Sequence, residues 1–176
     1  MKSLTYCKEL PGLPGYGESL RHYSATGQGM HRDGYVVEFN PSQGQSWVGN
    51  FQPGGGNLSD LEEFTANQTT LVVAKGQGYL VDIQSGTLIA LYESDINFLL
   101  KSAATELVIA GTATDFSAYT GIGKVWTTRR ISWDGFRNLV VNGGELVGES
   151  WCFDDSWLPF KVDLSNGIVT GGAYYE

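Results

Sequence analysis

Apolar positions in this chain recur in short alternating runs rather than at helical spacing. From Tyr35 onward the runs are four to six residues long and end in glycine or Asn/Asp turns. Tyr35-Val36-Val37-Glu38-Phe39 and Ser46-Trp47-Val48-Gly49-Asn50-Phe51 are the first two. Leu71-Val72-Val73-Ala74, Tyr79-Leu80-Val81-Asp82-Ile83 and Thr87-Leu88-Ile89-Ala90-Leu91-Tyr92 then form a meander. β-Branched and aromatic residues suit a pleated, half-buried surface, and glycine supplies the positive φ of a tight turn. Asn142-Gly143 between Leu139-Val140-Val141 and Glu145-Leu146-Val147 predicts a hairpin. Phe160 to Leu164 and Ile168 to Thr170, joined by Ser165-Asn166-Gly167, predict another. No segment after Tyr35 keeps a helical period beyond two turns. Ser59-Asp60-Leu61-Glu62 fits a capping box, so one helical turn is expected there.

The expected fold is therefore all-β, built of antiparallel hairpins and meanders. Residues 1–33 read as an irregular N-terminal arm, punctuated by Pro11-Gly12, Pro14-Gly15 and Gly27-Gln28-Gly29. Residues 34–176 read as a single all-β domain.

The runs repeat. Thr70-Leu71-Val72-Val73-Ala74, Glu106-Leu107-Val108-Ile109-Ala110 and Glu145-Leu146-Val147-Gly148 are alike, and Tyr35-Val36-Val37 lies one similar interval upstream. Val81-Asp82-Ile83-Gln84-Ser85-Gly86 matches Val162-Asp163-Leu164-Ser165-Asn166-Gly167 in type, with Ile131-Ser132-Trp133-Asp134-Gly135 as a looser third copy. A unit of strand, loop, strand, Gly turn and strand over roughly 35–40 residues resembles the blade of a β-propeller, close to the WD-repeat or quinoprotein-type pattern. The resemblance is one of rhythm and covers residues 70–176. Trp-Asp occurs only at Trp133-Asp134, in a turn, and Gly111 to Lys124 looks like an insertion in the middle unit. The resemblance implies about four units, a small propeller-like repeat, and carries no activity, since such blades host many functions. A β-sandwich or barrel is the alternative. Open sheet edges invite a homodimer.

Composition narrows the partners. The 176 residues hold 11 Lys and Arg against 19 Asp and Glu, a formal charge of −8. Nucleic-acid and anionic-membrane binding both need a cationic surface, so neither is expected. A basic protein is the partner the charge would attract. No apolar run is long enough for a membrane span, the N-terminus lacks an apolar signal core, and a cytoplasmic location follows as the expectation. Cys7 and Cys152 are expected to be reduced thiols, and two sequons, at Asn57 and Asn67, to be chance matches.

Candidate chemistry is sparse. His22 and His31, with Cys7 and Asp33 nearby, match no zinc spacing, so no metal or cofactor is expected. Gly44-Gln45-Ser46-Trp47-Val48-Gly49 misses the nucleophile elbow by one residue, and Gly121-Ile122-Gly123 lacks the third glycine of a phosphate loop. Arg129-Arg130 is a local basic spot with one arginine expected to point outward. The segment Glu149 to Trp157 stands out: Trp151, Phe153 and Trp157 flank Asp154 and Asp155. Aromatic anchors beside acids on a loop suit partner binding, with Glu149, Trp151, Phe153, Asp154, Asp155 and Trp157 as the candidate residues and none of them catalytic. The function this predicts is a non-enzymatic acidic protein-binding module, of the inhibitor or antitoxin kind. The alternative is a hydrolase acting on a carbohydrate or other polar ligand. It would show as a deep pocket with converging acids, at least one of raised pKa.

Overall fold

The computed structural model describes residues 5–15, 19–27, 33–103 and 105–174, which form sixteen strands and no helix. The chain divides into two compact units, Met1–Asp95 and Ile96–Glu176, each holding two four-stranded sheets.

In the first unit, β1 (Cys7–Leu10), β2 (Ser19–Tyr23), β3 (Tyr35–Phe39) and β4 (Trp47–Phe51) make one sheet in the order β1-β3-β4-β2. Strand β2 lies parallel to β4, and the other pairs are antiparallel. Two of its strands come from the stretch expected to be irregular. They are short and carry few apolar residues, so period alone does not reveal them; pairing does. Tyr23 lies opposite Phe51 and stacks on it at 4.6 Å. Strands β5 (Asp60–Phe64), β6 (Thr69–Ala74), β7 (Gln77–Asp82) and β8 (Leu88–Leu91) make a meander. The expected helical turn at Ser59–Glu62 is strand instead. Leu61, Glu62, Glu63 and Phe64 are all buried against β6, and that burial outweighs a local capping preference. The β6–β7 turn is two residues, Lys75 and Gly76, both at positive φ.

In the second unit, β9 (Phe98–Lys101), β10 (Val108–Gly111), β11 (Phe116–Thr120) and β12 (Gly123–Thr127) form one meander. β13 (Phe136–Asn142), β14 (Glu145–Trp151), β15 (Trp157–Asp163) and β16 (Val169–Gly171) form the other. The segment read as an insertion, Gly111 to Lys124, holds the ordinary third strand of its sheet, β11, and the start of the fourth, β12. Ile131–Gly135 is the loop entering β13, not a third copy of the Asp-Gly turn. The three recurring runs do fall at one place: each supplies the second strand of a four-strand meander, in β6, β10 and β14. The chain is thus all-β and repeat-like.

Both cores are aromatic. Phe39 stacks on Trp47 at 3.9 Å, and Phe51 meets Tyr79 at 5.3 Å. Phe116, Phe136 and Phe160 form a triangle of 4.5, 5.8 and 5.3 Å. Burying each ring contributes roughly 1.5–3 kcal/mol. Three edge strands carry a break in register against their neighbour: β8 against β7, β12 against β11 and β13 against β14. Such bulges twist an edge away from further pairing.

The two units share details finer than sheet count. The β7–β8 and β15–β16 turns are the same structure about 80 residues apart. Gly86 N–H donates to Asp82 O and Gly167 N–H to Asp163 O, both at 2.8 Å. The side chains three residues on, Ser85 and Asn166, donate to the carboxylates of Asp82 and Asp163. Trp47 Nε1 donates to Ile83 O at 2.9 Å, and Trp126 Nε1 donates to Leu164 O at 3.0 Å. Tyr92 N–H reaches Gly78 O as Gly172 N–H reaches Pro159 O, both at 3.0 Å. The β13–β16 sheet is thus a structural counterpart of the β5–β8 sheet, while the β1–β4 and β9–β12 sheets differ in strand order.

Candidate functional site

The site is built where the loop entering β13 meets the β14–β15 turn. Buried Ser132 fixes the two together. Its hydroxyl lies 2.6 Å from Gly135 O and 3.1 Å from Trp151 O, and it accepts the Trp151 N–H at 3.1 Å. Trp133 N–H also donates to Trp151 O, and Trp151 N–H to Gly135 O. The turn beyond is closed on itself. Cys152 N–H donates to Ser156 O, Asp155 N–H to Cys152 O, and Ser156 donates from both N–H and hydroxyl to Asp154 Oδ1. Asp155 takes the left-handed conformation at φ 63, which Asp tolerates better than most residues.

On this frame Phe153 stands 71% exposed, edge-on to Trp133 at 5.5 Å. Trp133 is itself 38% exposed and lies 5.1 Å from the Tyr174 ring. The Arg130 guanidinium covers both, 5.3 Å from Trp133 and 4.7 Å from Tyr174. Arg130 is held by its Nε on Ser132 O and its Nη2 on Trp133 O. Arg129 fastens the third ring from behind, donating to Tyr174 O and Gly171 O. Both arginines sit in a loop and both are committed to backbone carbonyls, so strand alternation does not decide their direction.

The six residues singled out in the sequence do not converge. Phe153 joins the ring cluster, with exposed Asp154 and Asp155 beside it. Glu149, Trp151 and Trp157 belong to the strands below. Trp151 and Trp157 face each other as register partners. Glu149 accepts from Arg137 at 2.9 Å and from Asn138 at 2.7 Å, and Arg137 in turn lies 4.4 Å over the Trp157 ring. The Arg137 bond, with Asn138, holds the Glu149 carboxyl below the ordinary range, and the Ser156 bonds do the same for Asp154. In the sequence Arg130 reads as part of a basic spot and Trp133 as a packed turn residue, with nothing to join either to the site. Nothing local marks Tyr174, which reaches the cluster only through the β16 segment.

The counterpart sheet in the first unit shows what the fold itself requires at this place. Gly54 N–H donates to Ala74 O where Trp133 N–H donates to Trp151 O. The matching turn is the two residues Lys75-Gly76, against five in the second unit. A Cβ on Gly54 or Gly76 would lie 2.8 Å from the Ser94 backbone carbonyl oxygen, and Ser94 follows Tyr92 by two residues as Tyr174 follows Gly172. The first unit therefore closes this junction with glycines packed on the Ser94 backbone. The second fills it with three aromatic rings and an arginine.

The remaining candidates scatter. Among the described residues no three His, Cys, Asp or Glu side chains gather as metal ligands. His22 Nδ1 lies 3.2 Å from Asn50 Nδ2, Cys7 is buried beside Glu63, and His31 falls outside the described residues. Ser46 donates to Asn40 in a turn, and Ile122 tips the β11–β12 hairpin, 81% exposed. Both cysteines are free thiols.

No protein family matches the chain, and no curated protein does. Among solved structures, the chain is similar to the computationally designed Ika8 protein, with 11% identity and a TM-score of 0.44 over 83% of this chain and 48% of that one. The chain spans about half the length of that structure.

Proposed function

We propose that this protein is a non-enzymatic binding module that engages a basic protein through the Trp133–Phe153–Tyr174 cluster and the acids beside it. One observation carries the reading: the equivalent junction in the first unit is completed by glycines packed on the Ser94 backbone, with no aromatic ring, so the fold does not require the exposed rings. Exposing Phe153 to water without a partner forgoes its burial, and Trp, Tyr and Arg are the side chains that dominate binding energy at protein interfaces. The turn is held by its own hydrogen bonds, so little ordering entropy is lost when a partner seats on it. Exposed Asp134, Asp154 and Asp155 adjoin Trp133 and Phe153 along the chain, and the net charge is −8, which favours a cationic partner and speeds its arrival. The Ser156 bonds lower the pKa of Asp154, which suits an acceptor for cationic groups and not a proton donor to a leaving group. The four-stranded sheets are, on the same reading, propeller-like repeats. Supporting this are three chain-order meanders with a shared second-strand run.

The test is quantitative affinity capture with wild type, Phe153→Ala, Asp154→Asn/Asp155→Asn and the control Ile122→Ala. A stoichiometric basic protein should be retained by wild type and the control, weakened more than about ten-fold by Phe153→Ala, and released by salt. A capture profile insensitive to Phe153 would end the proposal.

A further inference from the structure

Two asparagines in this chain precede glycine, Asn142 and Asn166, and the fold treats them oppositely. An Asn-Gly pair is chemically labile because glycine has no Cβ to hinder its own nitrogen from approaching the asparagine side chain. Asn166 is locked. Its Nδ2 donates to Asp163 Oδ2 at 3.0 Å and its Oδ1 accepts the Ile168 N–H at 2.8 Å. The nitrogen that would attack, Gly167 N, is engaged with Asp163 O at 2.8 Å, and Gly167 is packed against the Trp126 ring. Asn142 lies exposed at the tip of the β13–β14 hairpin, opposite Glu145. Side chains built on Gly143 or Gly144 would meet no atom within 4 Å. No counterpart of the Asn166 bonds holds Asn142 among the described residues.

We infer that Asn142 is a site of spontaneous deamidation in the folded protein and that Asn166 is protected. The Gly143 backbone nitrogen attacks Asn142 Cγ, the Cγ–Nδ2 bond breaks, and ammonia leaves carrying the proton lost by the attacking nitrogen. Water then opens the cyclic imide at one of its two carbonyls, giving aspartate or isoaspartate. The net change is one water consumed and one ammonia released. The product puts a carboxylate directly across the ladder from Glu145, whose own charge is paired with Lys161 at 3.0 Å. Like charges facing across a ladder loosen it.

The full-length chain is incubated at mildly alkaline pH and followed by peptide mapping with mass spectrometry, natively and in urea. In the native protein the Asn142 peptide should convert about ten-fold or more faster than the Asn166 peptide, since the latter must first break three hydrogen bonds. In urea the two rates should converge. Asp163→Ala, which removes one of the Asn166 partners, should raise the Asn166 rate without touching Asn142. Equal native rates would overturn the inference, and so would a gap that persists in urea, because sequence and not structure would then set it.

Discussion

Replacing Glu63 by Gln tests how the N-terminal strand is fastened. Glu63 is 4% exposed on β5, and its carboxylate accepts three backbone N–H groups. Oε1 takes Tyr6 at 2.8 Å and Cys7 at 2.6 Å, and Oε2 takes Thr5 at 2.8 Å. A hydrogen bond to a charged group is worth about 1.5–3 kcal/mol net, against about 0.5–1.5 for a neutral one. Glutamine keeps the shape but makes all three neutral and turns one acceptor into a donor facing a donor. Thr5 is exposed and can turn to water, so the loss there is small. The expected cost is about 2–4 kcal/mol, and Glu63→Ala should cost more because the buried Cys7 N–H is then left bare. Urea unfolding of the full chain reads the total, and hydrogen exchange of the Cys7 to Leu10 amides reads the local part. A loss below about 0.5 kcal/mol with those amides still protected would show that β1 is held by its ladder with β3 alone, and the reasoning would be wrong.

Three further outcomes follow from the geometry. Burial pushes the Tyr23 and Tyr79 phenols up to about 12, so the stability tied to their neutral forms is complete below pH of about 10 and is lost as pH rises through about 12; ultraviolet titration should show delayed phenolate formation with cooperative unfolding, and non-cooperative ionisation near the free value would contradict it. Trp47→Phe and Trp126→Phe each remove one indole N–H bond to a turn carbonyl and should cost about 1 kcal/mol apiece; costs that differ several-fold would weaken the equivalence of the two turns. At Gly111 an added Cβ would stand 2.6 Å from the buried Phe116 ring, so Gly111→Ala should destabilise by about 1–3 kcal/mol, and a neutral thermal shift would show the core there to be slack.

Where a strand carries its own signal, the chain is readable. The β6–β7–β8 meander and the β13–β14 hairpin come from alternating β-branched residues and glycine turns, and the matched Asp-Gly turns are visible by eye. The failures share one cause: long-range partners. Strands β1 and β2 become strands because β3 and β4 lie beside them, and Ser59–Glu62 loses its capping geometry to burial against β6. The Gly111–Lys124 segment looks loose until Phe116 is seen in the core. The site was half legible. Phe153, Asp154 and Asp155 announce themselves as an aromatic-acidic loop, but Arg130, Trp133 and Tyr174 are brought to it by backbone bonds between distant segments. The same fact separates Glu149 and Trp157 from Phe153, since strand pairing sends neighbours in sequence to different surroundings.

Pro159 stands in β15 where the first unit has Gly78, whose N–H bonds to Glu93 O; proline has no such hydrogen to offer. The closing segment of the chain is thereby tied down less by its ladder and more by the guanidinium of Arg129. Tyr174 is held by bonds outside the ladder, its N–H on Ile131 O and its carbonyl on the Arg129 guanidinium. On the proposed reading, the wall of the rim at Tyr174 is fastened from outside the sheet rather than by strand pairing.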